Sequence, residues 1–176
     1  MIESIKNSNL RSPQDVKIGL DVAANDCNIK FFEIMNIYNS FPIYSLEDPL
    51  KEEDWAGWTE LKKDLEKNNK EFLLIGDDLF TTNEERLKKG IEENAANGII
   101  IKLNQIGTLT ETLNTMVLSE KSGITRIVSH RSGETEDSFI ADLASGTGAK
   151  FIKAGAPTAP ERLAKYNRLK EIKEII

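Results

Sequence analysis

A single cysteine, Cys27, in a chain of 176 residues excludes an internal disulfide and fits a reducing compartment. No basic stripe is present, and the net charge of −6 argues against a nucleic-acid partner. No run reaches the roughly 18 apolar residues that span a bilayer, so no membrane role is expected. The opening segment, MIESIKNSNLRSPQ, is polar and has no apolar signal region. That predicts a protein that is not exported and resides in the cytoplasm. Low-complexity segments and Pro/Gly/Ser linkers are also missing, so residues 1–176 read as one domain.

What remains is an ordinary globular composition, 39% hydrophobic and 30% charged. The length suffices for one domain with a real core. Six short apolar runs each end on a residue able to do chemistry. KIGLD closes on Asp21, IYSLE on Glu47, LLIGD on Asp77, IIIK on Lys102, IVSH on His130 and FIK on Lys153. Their spacing, about 23 to 30 residues, fits one strand, one helix and two short loops. The runs are nearly continuous in apolar residues, as parallel strands covered on both faces require. Strands are predicted near 16–21, 41–47, 72–77, 99–102, 126–129 and 151–153.

The segments between them carry helical periodicity. Phe31, Phe32, Met35 and Tyr38 mark a helix in 28–40, and Trp55, Trp58, Leu61 and Leu65 a second in 52–67 with acids at its start. A third, in 81–98, has Asn83 as N-cap, Leu87 and Ile91 facing inward and Gly98 at its end. A fourth carries Leu109, Leu113, Met116 and Val117 and stops at Gly123. SFIADLASGTG supplies a fifth, and the last runs from Pro160, in its first turn, to Ile176. The fold class is α/β, a (β/α) barrel of the TIM type. It is incomplete, because six βα units are visible where closure takes eight and about 250 residues.

In such a barrel the active site lies at the carboxyl ends of the strands. Three carboxylates, two lysines and a histidine are therefore expected on one face. Asp21, Glu47 and Asp77 offer hard oxygen ligands from three strands, a set that suits Mg²⁺. Any one of these acids could instead cap a loop or sit on the surface; three in register are harder to explain that way. Lys102 emerges from an apolar strand, where burial and a nearby cation would lower its pKa and prepare a general base. A structural lysine paired to Asp77 is the alternative. Arg131 offers a fork for phosphate or carboxylate, with the Ser132 donor beside it and His130 before it. Gly76 and Gly107 read as turn or close-packing glycines, and Cys27 as passive. GTGAK (146–150) precedes a strand and lacks the rest of a P-loop, so it is no nucleotide site.

At these residues the chain resembles a known family. SLEDP (45–49), GDDL (76–79), IKLNQIGTLTET (101–112), SHRSGETED (129–137) and RLAKYNRL (162–169) are similar to the C-terminal barrel of enolases, the phosphopyruvate hydratases of glycolysis. The resemblance runs from about Lys17 to the C-terminus. It implies Mg²⁺ bound by Asp21, Glu47 and Asp77, and Lys102 as the base for the C2 proton of 2-phosphoglycerate. It also implies that Arg131 and Ser132 hold the phosphate, with His130 and Lys153 lining the substrate site. Family members carry an N-terminal domain and first barrel strands that supply the general-acid glutamates, a histidine and a mobile serine loop. The resemblance implies that these are absent here. The segment after Asp21 is shorter than in the family, and Thr158, Ala159 and Pro160 replace a more basic, serine-containing turn. The implied partner is a complementary N-terminal enolase chain or a second copy of this one. Two other readings stand beside the lyase. One is an inactive remnant or split-enzyme subunit serving binding or assembly, and the other is a relative acting on a different carboxylate acid.

Overall fold

A computed structural model describes residues 1–67 and 71–175; Ile176, the last residue of the expected final helix, lies outside them. The chain divides into two compact units, residues 1–79 with 90–97, and residues 80–89 with 98–176.

The first unit holds α1 (Ile2–Asn7), β1 (Ile18–Asp21), α2 (Phe31–Ser40), β2 (Ile43–Glu47), α3 (Trp55–Glu66) and β3 (Leu73–Gly76). Its strands pair in parallel in chain order, with Asp21 opposite Glu47 and Glu47 opposite Ile75. β3 is buried along its whole length, as the apolar run LLIG requires. Trp58, Leu61 and Leu65 of α3 are fully buried, and Ile34 and Tyr38 of α2 are buried in the same unit. The Asp54 side chain caps α3 by accepting from the Gly57 N–H at 3.0 Å. Among the described residues of this unit, β1 pairs with β2 alone. Beside it, Met1, Ile2, Ile18, Leu20, Ile37, Phe41 and Ile43 line an apolar groove of about 600 Å³.

α4 (Glu84–Glu92) carries the division between Lys89 and Gly90. The second unit continues with β4 (Gly98–Ile101), α5 (Leu103–Ile106), α6 (Leu109–Lys121), β5 (Thr125–Ser129), α7 (Phe139–Gly146), β6 (Phe151–Lys153) and α8 (Pro160–Ile175). Its strands are again parallel in chain order, with Ile101 opposite Val128 and Ser129 opposite Lys153. α8 is laced to α7 by a forked ion pair in which the Arg168 guanidinium meets the Asp142 carboxylate at 2.7–3.0 Å. Six parallel strands with intervening helices make the fold α/β, an incomplete barrel of the TIM type with six βα units.

Each expected strand is present: β1, β2 and β3 are shorter than expected, β4 is shifted by one residue, β5 begins one residue early and β6 coincides with its expected range. β2 starts at Ile43 because the Phe41 N–H still closes α2 on the Ile37 carbonyl. α4 ends at Glu92, not near Gly98, because Asn94 takes a left-handed conformation (φ +55°) and Gly98 opens β4. Two helical stripes also differ from expectation. On α2, Phe32 is 58% exposed and Ile34 is buried in its stead. On α6, Leu109, Leu113 and Val117 are exposed while Thr112, Thr115, Met116 and Ser119 face inward. The hydroxyls can be buried because carbonyls accept from them: Thr112 to Thr108, Thr115 to Thr82 and Ser119 to Thr115. Asn83 caps α4 as expected, accepting from the N–H groups of Glu85 and Arg86. Gly107 sits at the end of α5 with φ +107°, where any side chain would be strained.

These burials set different costs for truncation. Leu61→Ala is expected to lower the unfolding free energy by about 2–5 kcal/mol, read as a lower urea midpoint at constant slope. Phe32→Ala, on the exposed side of α2, should stay within about 0.5 kcal/mol.

Candidate active site

All six residues singled out in the sequence occupy the carboxyl end of a strand. Asp21, Glu47 and Lys153 are the last residues of β1, β2 and β6. Asp77, Lys102 and His130 each follow directly on β3, β4 and β5.

In the first unit the acids form a graded set. Asp21 is exposed, whereas Glu47 and Asp77 are buried, 6% and 8% accessible. Asp48, which the sequence reading passed over, is buried too. Its carboxylate accepts from the backbone N–H of Asp77 at 2.9 Å and of Asp78 at 2.8 Å. Its own N–H donates to the Ile75 carbonyl at 3.0 Å, so it stitches the turn after β2 to the end of β3. Burial pushes the Asp48 carboxyl up to about 7; the two N–H groups oppose this, and the charges of Asp77 and Asp78 add to it. The acids paired in the sequence, Glu47-Asp48 ahead of a proline and Asp77-Asp78 after a glycine, were the available signal.

Carboxylate oxygens of Asp48, Asp77 and Asp78 lie within 4.8 Å of one another, the cluster of potential ligands found among the described residues. Asp21 and Glu47 stand outside it, as register partners on adjacent strands. With both Asp48 oxygens engaged by the backbone, Asp48 acts as an organiser of this end of the unit. The donors present are all carboxylate oxygens, which fits a hard divalent cation and not a soft one.

In the second unit the carboxyl ends of the strands carry Lys102, His130 and Lys153. The Lys102 N–H leaves the ladder and donates to the Thr82 hydroxyl at 2.9 Å. Thr82 is fully buried and has φ +56°. Its carbonyl accepts from Thr115 at 2.9 Å, so α6 holds Thr82 and Thr82 holds Lys102. Thr82 left no signal in the sequence, because nothing in its position along the chain marks it as a neighbour of Lys102.

The segment after β5 is held from several sides. The His130 N–H donates to the Lys153 carbonyl at 2.9 Å, and Arg131 donates to the Asn104 side chain at 2.9 Å. The Arg162 guanidinium of α8 meets His130 Nδ1 and donates to the carbonyls of Arg131 and Ser132 at 3.0 and 3.3 Å. Lys165, 1% accessible, donates to the carbonyls of Thr135 and Glu161 and lies 3.7 Å from the Glu134 carboxylate. Asn104, Ser129, Arg131, Glu134, Asp137 and Phe139 are among the residues around a cavity of about 330 Å³. Burial lowers the His130 pKa, and the charges of Arg162, Lys153 and Lys102 lower it further against the opposing Glu134. The unit thus presents anion-seeking groups around a neutral imidazole.

Comparison with known proteins identifies the family. Residues 27–176 match the family model of the enolase C-terminal TIM barrel domain. The chain is 47% identical over 174 residues to an enolase of Elusimicrobium minutum (strain Pei191), across 90% of this chain and 40% of that protein. It therefore spans about 40% of the length of the curated relative it matches.

Thr82→Val removes the hydroxyl that accepts the Lys102 N–H while keeping the side chain's shape. A buried donor left without its acceptor costs about 1–3 kcal/mol, which chemical denaturation should show. Thr82→Ser, which keeps the hydroxyl, should lose less.

Proposed function

The chain belongs to the enolase family, within its C-terminal TIM barrel domain, and from that premise we propose that it is the part of a phosphopyruvate hydratase bearing the metal ligands, the base and the phosphate grip. The reading treats residues 1–176 as one portion of that domain. The observation that carries it is the placement of Asp21, Glu47, Asp77, Lys102, His130 and Lys153, one at the carboxyl end of each consecutive strand.

The reaction is the dehydration of 2-phosphoglycerate to phosphoenolpyruvate in the cytoplasm. A lysine base working with a divalent metal is the general pattern of the enolase superfamily and is taken from there. Asp21, Glu47 and Asp77 would hold Mg²⁺. When bound, the ion supplies the positive charge that makes a proton beside a carboxylate acidic enough to remove. Lys102 takes that proton from C2, its backbone fixed by Thr82. Arg131 and Ser132 grip the phosphate, and His130 and Lys153 line the substrate. Loss of the hydroxyl needs a general acid, and in this reading it comes from a complementary N-terminal enolase chain. The apolar groove beside β1, where Ile18, Leu20 and Phe41 meet Met1 and Ile2, favours such a partner or a second copy. That groove also favours the second reading, an inactive assembly module. No helix among the described residues is long and apolar enough to cross a membrane.

Two measurements test the reading. Millimolar Mg²⁺ should raise the melting temperature, since an ion at about 100 times its Kd adds about 2.7 kcal/mol. An Asp21→Asn, Glu47→Gln double variant should show no such rise; an equal rise would overturn the ligand assignment. In a phosphoenolpyruvate assay the chain alone should turn over little, and adding an enolase N-terminal fragment should restore activity. Lys102→Ala should abolish it in the mixture. An active Lys102→Ala mixture would remove Lys102 as the base, and a mixture that stays inert would favour the assembly module.

A further inference from the structure

Arg162 stands in the first turn of α8, and its guanidinium contacts three consecutive residues of the segment after β5. Two of these contacts are to carbonyl oxygens, at 3.0 and 3.3 Å, and they hold the guanidinium whatever the imidazole does. The third is to Nδ1 of His130. A guanidinium carries five N–H donors, has no acceptor and stays protonated at any ordinary pH. The ring nitrogen that faces it must therefore present a lone pair. In a neutral imidazole the hydrogen then sits on Nε2.

The backbone makes room for this contact. Gly155 has φ +82°, and a Cβ there would lie 2.9 Å from Arg162 Cδ and 3.1 Å from His130 Cε1. The guanidinium stem and the ring edge thus converge over a residue that has no side chain. The charged groups around the ring are Arg162 on α8, Lys153 on β6, Lys102 after β4 and Glu134 in the following loop. Three are cations and one is an anion, so a second proton on the ring is disfavoured. A proton on Nδ1 would also set a donor against a donor.

We propose that Arg162 is a positioning residue that fixes His130 as the neutral Nε2–H tautomer, so that the free side of the ring offers a hydrogen-bond donor without net charge. This rests on the substrate-site reading only for what the donor meets. There it is matched to an anionic oxygen of the substrate, and it bars the ring from serving as a base. Proton removal is then left to Lys102.

His130 is the only histidine in the chain. The 176-residue chain labelled with ¹³C and ¹⁵N at histidine therefore gives one ring spectrum, which reports the tautomer directly. The native chain should show an unprotonated Nδ1 and a protonated Nε2 across neutral pH. Arg162→Met should convert this into a mixture of tautomers, and its titration midpoint should rise toward the ordinary imidazole value. Arg162→Lys, which keeps a cationic donor, should retain most of the Nε2–H form. A native ring protonated at Nδ1, or an Arg162→Met ring identical to the native one, overturns the proposal. Should Arg162→Met fail to fold, the native spectrum decides alone. The experiment uses neither substrate nor metal, so a failed dehydration assay leaves it standing.

Discussion

Where a parallel strand ends, its last backbone donors lose their ladder partners and must find others, since a buried N–H without an acceptor is costly. That constraint shapes the site. After β3 the Asp77 N–H turns to the Asp48 carboxylate, and after β4 the Lys102 N–H turns to the Thr82 hydroxyl. After β5 the His130 N–H takes the Lys153 carbonyl at the end of β6. In each case the residue with chemistry to offer is the one whose backbone has just left the sheet. The polar partner that satisfies each N–H also fixes the backbone from which that side chain springs.

The charged groups at the strand ends differ in sign between the two units. In the first, the Asp48 carboxylate accepts from backbone donors beside Asp77 and Asp78, and burial pushes its carboxyl up to about 7. In the second, cations on α8 donate to the carbonyls of the segment from Arg131 to Thr135. The carbonyls of that segment are thus satisfied by side chains of one helix. Lys165 illustrates the cost: a lysine 1% accessible is tolerated because two carbonyls and the Glu134 carboxylate surround its ammonium.

The membership of this chain in the enolase family and the proposed reaction have separate supports. The family rests on the match over residues 27–176 and on the 47% identity. The proposed roles rest on chemistry: hard oxygen donors for a hard cation, an amine after an apolar strand for a base, a guanidinium and hydroxyl for a phosphate.

The repeat of apolar runs, each ending on a reactive residue, determined the α/β class, the six strands and the six strand-end positions. Apolar periodicity and strand–helix alternation are local properties, and they were legible for β3, β4 and α3 almost residue by residue. What could not be read were contacts between residues far apart in sequence. Thr82 and Lys102, Asp48 and Asp77, and Arg162 and His130 meet only once the chain is folded. The face of α6 was misleading for the same reason, because a threonine is a core residue only when a carbonyl such as that of Thr82 waits for it. Side-chain type is written along the chain, but whether a polar group is satisfied is decided by three-dimensional neighbours, and on that satisfaction the placing of the site depends.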